Sequence, residues 1–455
     1  MTARESNQAH TPASPYLTQP ADAAGSPRAR RAYTQDRPIG VRAIVVAACA
    51  LAAFTASTAA QAAEVEVLHY WTSGGEAKSA QVLKQMLEKK GDTWKDFAVA
   101  GGGGENAMTA LKTRVISGDP PAAAQIKGPA IQQWGDEGVL VSVDDVARAD
   151  GWDKVLPTQI SSIMKYKGQY VAAPVNVHRV NWLWINADAL KKVNAQPPST
   201  WDDFFKTADA LQKAGIIPVA IGGQSWQEAE TFETVALGVG GAAFYKKAFV
   251  DLDEATLKGP TMVKALETFK KIKPYTDKGQ TGRDWNMATG MVISGKAAMQ
   301  FMGDWAKGEF TVANKTPGQD YLCVPGPGSQ GAYTFNVDSF AFFKVKNPDS
   351  AKGQKDLASL LMSPEFQEIF NLNKGSIPVR QGMDLAKFDD CAKKSAADFH
   401  SAQTKGTLVP SWAHDMVIKP AVEGAFYDVI GEFWNNDGET AQQAANKLAA
   451  ASKTN

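Results

Sequence analysis

Val65-Glu66-Val67-Leu68-His69-Tyr70-Trp71, followed by Thr72-Ser73-Gly74-Gly75-Glu76, is the stretch whose reading decides the fold. Its alternating, β-branched beginning predicts a strand, and Ser73-Gly74-Gly75 predicts the turn that ends it. Val82, Leu83, Met86 and Leu87 then fall on one helical face, with Gly91 where a C-terminal cap is expected. A second strand is expected near Phe97-Ala98-Val99. It runs into Gly101–Gly104 and a further helix through Met108, Leu111 and Val115. Strand, loop and helix repeated in this order predict a mainly parallel sheet covered by helices.

Outward from this unit the pattern continues. A strand is expected over Gln169–Val175, and a new α/β segment begins at Asn181-Trp182-Leu183-Trp184-Ile185. Thr200 can cap a helix whose first turn holds Asp203, and Ser363-Pro364-Glu365 is a second helix start. Pro325-Gly326-Pro327-Gly328 breaks the chain before a strand expected over Ala332–Lys344. No internal repeat, heptad or low-complexity tract follows residue 63. With 455 residues, the chain is long enough for two to three ordinary domains. The expected organisation is two α/β lobes joined by several crossings: 63–174 with 338–395, and 175–337 with 396–455.

The segment before the first strand has a different character. An apolar run from Ala43 to Ala60 follows five arginines, at 28, 30, 31, 37 and 42, and ends in Ala60-Gln61-Ala62, a small-x-small site. Residues 1–62 therefore read as a leader with a secretory signal peptide, cleaved near Ala62. The alternatives are an uncleaved membrane anchor and a lipoprotein box at Val46-Ala47-Ala48-Cys49. Cys49 would leave with the leader, so Cys323 and Cys391 remain in a protein bound for an oxidising compartment. They are expected to form a disulfide, the alternative being two separate buried thiols. The whole chain carries 48 residues of each sign; six arginines and three acidic residues lie in the leader, leaving 42 basic against 45 acidic, a net of −3. A nucleic-acid binder would show a clustered basic excess, which is absent.

Tests for catalytic and metal chemistry find no specific motif. The five histidines, at 10, 69, 178, 400 and 414, have no ligand spacing, and neither His-Glu-x-x-His nor Cys-x-x-Cys occurs. Gly101–Gly104 is followed by Glu105-Asn106, which satisfies neither a phosphate-binding loop nor a dinucleotide fingerprint. Those glycines read either as a flexible strand-to-helix turn or as a loop whose backbone approaches a ligand. No Gly-x-Ser-x-Gly elbow is present. Carboxylates such as Glu76 and Asp338 would be the candidates of a glycosidase, the rival reading. Tryptophan is more informative. Trp71, Trp305 and Trp412 sit beside polar groups at element ends, where a flat ring can cover the C–H face of a sugar. Trp201 and Trp285 read as core.

Further stretches carry a resemblance. They are Gln125-Ile126-Lys127-Gly128-Pro129, Pro174-Val175-Asn176-Val177-His178-Arg179-Val180-Asn181-Trp182, Met302-Gly303-Asp304-Trp305-Ala306-Lys307 and Asn336-Val337-Asp338-Ser339, then Asn373-Lys374-Gly375-Ser376-Ile377-Pro378 and Ala413-His414-Asp415-Met416. Together with the Tyr70–Glu76 and Gly101–Gly104 stretches, and in this order, they resemble the family 1 extracellular solute-binding proteins of sugar ABC transporters. Within these the likeness is to the periplasmic glucose-binding proteins, over about residues 64–450. The resemblance implies a two-lobed periplasmic-binding-protein fold that closes on a monosaccharide, glucose, and no enzymatic activity or cofactor. It implies a monomer that delivers the sugar to an inner-membrane permease. It also implies that Trp71 and Trp305 stack on the pyranose, while Glu76, Lys127, Asn336, Asp338, Lys374 and His414 hydrogen-bond its hydroxyls. His178 and Trp182 are expected along the cleft or the crossing. Tyr70 stands where relatives often carry a second Trp, and keeps an aromatic face.

Overall fold

Val65, Val67 and Leu68 are fully buried, which is why the first strand, Glu64–His69, lies inside its sheet rather than at an edge. The computed structural model describes residues 62–454. The leader assigned to 1–62 lies outside these but for its last residue. Five strands form the first sheet, in the order Thr93–Ala98, Glu64–His69, Ala123–Gln125, Ser339–Phe342, Ala172–Pro174. The first three run parallel, and Ser339–Phe342 is antiparallel to both its neighbours. A second sheet has the order Tyr321–Pro325, Trp182–Asn186, Ala297–Phe301, Ile217–Val219, with only the last pair parallel.

Two α/β lobes are thus present, but each sheet is mixed rather than mainly parallel. A strand–helix–strand crossover forces a parallel neighbour. Ser339–Phe342 does not arrive by such a crossover; it enters the first sheet from the other lobe. Each lobe has its own core, the first around Leu68, Leu83, Phe340 and Phe370, the second around Leu183, Phe232, Phe301 and Trp412.

The strand expected over Ala332–Lys344 is two strands, Tyr333–Asn336 and Ser339–Phe342. Tyr333–Asn336 pairs with His178–Arg179 and Leu408–Pro410, so three segments of chain that pass between the lobes make a small sheet of their own. At the break the Asp338 N–H donates to Asn176 Oδ1 at 3.0 Å, a side chain replacing the lost ladder partner. Gln169–Val175 likewise divides into Gln169–Tyr170 and Ala172–Pro174. The second strand lies slightly earlier than expected, at Thr93–Ala98.

Helix punctuation follows the sequence more closely. Thr200 Oγ1 accepts the Asp203 N–H at 3.1 Å, and Ser363 Oγ that of Phe366 at 3.3 Å. Helix Asp390–Lys405 is continuous through the lobe boundary expected at 395/396. Near its start Cys391 is bonded to Cys323 of strand Tyr321–Pro325, the Cα atoms 6.0 Å apart, as the cysteine count predicted. No helix among the described residues is long and apolar enough to cross a membrane.

The disulfide spans 68 residues, a long loop whose closure restricts the unfolded chain. Replacing both cysteines by serine is expected to lower the unfolding free energy by about 2–4 kcal/mol. Denaturant titration without reductant measures this; coincident curves would refute a stabilising role.

Candidate functional site

Tyr70 and Trp71 follow directly on the first strand, Lys127 follows Ala123–Gln125, and Trp305 follows Ala297–Phe301. All four therefore lie beyond the carboxyl ends of strands, where open α/β sheets place their ligand crevices. Glu76 stands in the first turn of helix Gly74–Lys89, which Ser73 caps. Asn336 and Asp338 flank the strand break, and Lys374 ends helix Pro364–Lys374, where Gly375 adopts φ 94°. His414 closes the short turn Trp412–His414.

These residues converge. Tyr70, Trp71, Glu76, Lys127, His178, Trp305, Asn336, Asp338, Lys374 and His414 line one small cavity, with about 20 Å³ of space between them. Trp182 is not among them. Its ring lies in the crossing, 4.1 Å from the Arg179 guanidinium, and is buried. A larger groove of about 640 Å³ shares Tyr70 and Lys127, opens to solvent and runs past Met108, Val115 and Ile116. Its buried polar lining is Gln125, Lys127 and Glu423, but none of Trp71, Trp305, Asn336, Asp338, Lys374 or His414 reaches it, so the smaller cavity, where these meet, is the candidate site.

Trp226 and Trp285, which were not foreseen, complete the lining together with Gly102 of the glycine loop, for which approach to a ligand was one of two readings. Trp285, read as core, has a face on the cavity. Both tryptophans stand at helix starts beside polar residues, in Gln224-Ser225-Trp226 and Asp284-Trp285, as Trp71 and Trp305 do at strand ends. The glycine loop explains itself here. A Cβ on Gly102 would lie 2.7 Å from Trp285, one on Gly103 2.8 Å from Trp226, and one on Gly104 2.9 Å from Tyr70. Close approach of backbone to aromatic rings is what the run of glycines permits.

The charges of the cavity are buried and paired. Lys374 Nζ lies 2.8 Å from Glu76 Oε1, and Lys127 Nζ lies 3.0 Å from Asp415 Oδ2. His178 is held from both sides: Nδ1 bonds Asp304, and Nε2 lies 2.9 Å from Asp338 Oδ2. Carboxylates on both sides of the ring favour an imidazolium, in which both nitrogens donate, although the Asn176 amide nitrogen also lies 2.9 Å from Nε2. Burial opposes that charge, but Asp304 and Asp338 outweigh it and raise the pKa of His178. Burial likewise resists ionisation of Asp338, yet His178, Lys374 and Lys127 hold it well below the usual carboxylate range. Burial and Lys127 push His414 the other way, to a neutral ring.

This arrangement suits binding rather than bond cleavage. A glycosidase needs a carboxylic acid able to release a proton, and Asp338 is held ionised while Glu76 is tied to Lys374. Among the described residues no group of three His, Cys, Asp or Glu side chains is placed to hold a metal.

His178→Gln would leave Asp304 and Asp338 as unpaired buried charges, at an expected cost of about 3–5 kcal/mol. A raised folded pKa contributes stability that is complete below the unfolded value of 6.5 and fades as pH rises through the folded one. Wild-type unfolding free energy is expected to carry this descending component above pH 6.5, and the variant to lack it. Parallel pH profiles for the two would contradict the imidazolium assignment.

Comparison with known proteins agrees with this picture. The family model for bacterial extracellular solute-binding proteins matches residues 81–403. A probable sugar-binding periplasmic protein of Rhizobium meliloti is 49% identical over 397 residues, which cover 87% of this chain and 95% of the relative. Its counterpart in Brucella suis is 47% identical, with 89% and 96% covered. Among solved structures, the solute receptor AcbH, with an exclusive preference for β-D-galactopyranose, superposes with a TM-score of 0.73 at 18% identity, covering 85% of this chain and 97% of the receptor. The family model and the relatives are those of binding proteins rather than enzymes, and the chain is a member of the bacterial extracellular solute-binding protein family.

Proposed function

We propose that this protein is the periplasmic component of a sugar ABC importer, that it holds one monosaccharide, glucose, in the Trp71–Trp305 cavity, and that it delivers it to an inner-membrane permease. One observation carries the reading. Tryptophans from both lobes, Trp71 from the first and Trp305 from the second, line a single cavity whose other walls include buried Glu76, Lys127, Asn336, Asp338, Lys374 and His414. A hexopyranose with equatorial hydroxyls offers an apolar C–H face on each side and a rim of oxygens, the complement of such walls. The walls leave about 20 Å³ between them, room for a water molecule rather than a hexose, so in this reading the sugar enters as the lobes part. Asn336 Oδ1 is buried without a partner, an acceptor open to a ligand hydroxyl. The sugar-binding relatives support the substrate class, and the resemblance to glucose-binding proteins supports the hexose.

In this reading the chain is exported, cleaved near Ala62 and works as a monomer. Its lobes are 63–174 with the stretch from 338, and 175–337 with the C-terminal part. The last crossing follows helix Asp390–Lys405 rather than cutting it.

Calorimetric titration of residues 63–455 is expected to give 1:1 glucose binding, weakened at least about tenfold by Trp305→Ala. Galactose, mannose, maltose and glucose-6-phosphate serve as competitors. Binding of another hexose alone would overturn the glucose assignment, and binding of none would overturn the sugar reading. Saturating sugar is also expected to shrink the radius of gyration in solution scattering, because contacts from both lobes favour the closed form. Superimposable profiles would refute closure.

A further inference from the structure

Helix Ser225–Tyr245 carries a buried carboxyl that none of the preceding contacts employs. Its neighbour Glu233 is fully engaged, accepting from Ser411 Oγ and the Trp412 N–H at 2.7 Å each and from Tyr245 Oη at 2.5 Å. Glu233 thereby fixes the turn on which His414 stands. Glu230, one turn earlier, is fully buried, and neither of its oxygens has a hydrogen-bond partner. Its Oε2 lies 3.8 Å from His414 Nε2, which is also buried and unpartnered. Two orphaned polar atoms therefore face each other directly behind the cavity wall.

The charges around this pair decide its protonation. Glu230 is faced by Glu233 on its own helix and by Asp304 in the loop after strand Ala297–Phe301, both acidic, with only the Gly303 N–H as a nearby donor. Burial and Glu233 push its pKa well above the carboxylate range. His414 is faced by Lys127 and His178, which disfavour a charged ring, and by Asp415 and Asp338, which favour it; burial and Lys127 prevail. A carboxylate without a cation in such a place is costly, whereas a carboxylic acid beside a neutral imidazole nitrogen can form a hydrogen bond.

We propose that Glu230 is a positioning residue for the cavity: its carboxylic O–H donates to His414 Nε2, locks the ring as the Nδ1–H tautomer and so presents an N–H donor to the ligand. The 3.8 Å separation must shorten by about 1 Å for that bond, within reach of a side-chain adjustment. His414 then accepts no hydroxyl proton from the sugar, and selects for an oxygen that receives a hydrogen bond at that corner. The inference rests on the cavity being the monosaccharide site, and it defines a specificity element there.

The experiment uses residues 63–455 with ¹⁵N-labelled histidine, reading ring tautomers by long-range ¹H–¹⁵N correlation, with His414 identified by loss of its signals in His414→Gln. Ligand-free wild type is expected to show the Nδ1–H tautomer. Glu230→Gln, whose amide can also donate to Nε2, is expected to keep it and to keep glucose affinity. Glu230→Leu is expected to lose the single tautomer and to weaken glucose binding about tenfold, the weight of one neutral hydrogen bond. An Nε2–H tautomer in wild type overturns the proposal. So does a loss of affinity in Glu230→Leu with the His414 signals unchanged, or an equal loss in Glu230→Gln. The tautomer is read without ligand, so failure of glucose to bind any variant would refute the substrate reading while the role of Glu230 is still decided.

Discussion

A single imidazole, that of His178, is hydrogen-bonded to carboxylates that belong to different parts of the molecule. Asp304 comes from the loop after a strand of the second lobe, and Asp338 from the point where the chain re-enters the first. His178 itself lies on the strand that crosses between them. Replacing any of the three would strand a buried charge, so this triad pins the crossing while the rest of each lobe packs on its own core. It also sets the electrostatics of the cavity. Asp338, held ionised by its partners, lies beside Lys374 and Lys127, and these in turn hold Glu76 and Asp415.

The legible parts of the sequence were those governed by local rules. The opening strand, the caps at Thr200 and Ser363 and the cysteine pair follow from alternation, capping chemistry and parity. The mixed sheets and the break at Val337-Asp338 were not legible. They depend on which lobe a strand enters, and a run such as Thr334–Phe343, in which Asn336, Asp338 and Ser339 are interspersed with apolar residues, reads the same whether it serves one sheet or two. The convergence of ten side chains from seven or more distant segments came from the resemblance. Spacing along the chain carries no trace of it.

Trp226 and Trp285 were missed for a different reason. Tryptophan beside a polar residue at an element end was the criterion that singled out Trp71 and Trp305, and it fits both of these equally. Trp285 was assigned to the core, which accounts for most tryptophans, and Trp226 was not singled out. The structure shows that the two roles coexist: each ring is almost fully buried, yet one face lines the cavity. The glycine loop is the complementary signal. Three successive glycines, each with a Cβ position blocked by a different aromatic ring, mark a place where backbone and rings meet face to face.

That meeting crosses the cleft, and it bears on how closure is balanced. Gly102 and Gly103 touch Trp285 and Trp226 of the other lobe, the Gly75 N–H donates to Glu309 at 2.7 Å, and Lys127 pairs with Asp415. All of these contacts join the two lobes and need no ligand. Moving a two-state population from 1:99 to 99:1 requires about 5.5 kcal/mol of preference for one state. The more of that preference the protein's own contacts contribute, the less a ligand has to add and the weaker its control of closure becomes. Buried ion pairs limit this contribution, since desolvation cancels much of their attraction. In the proposed closure, Lys127–Asp415 would therefore align the lobes without locking them, leaving the decision to close with the contacts a ligand makes to both.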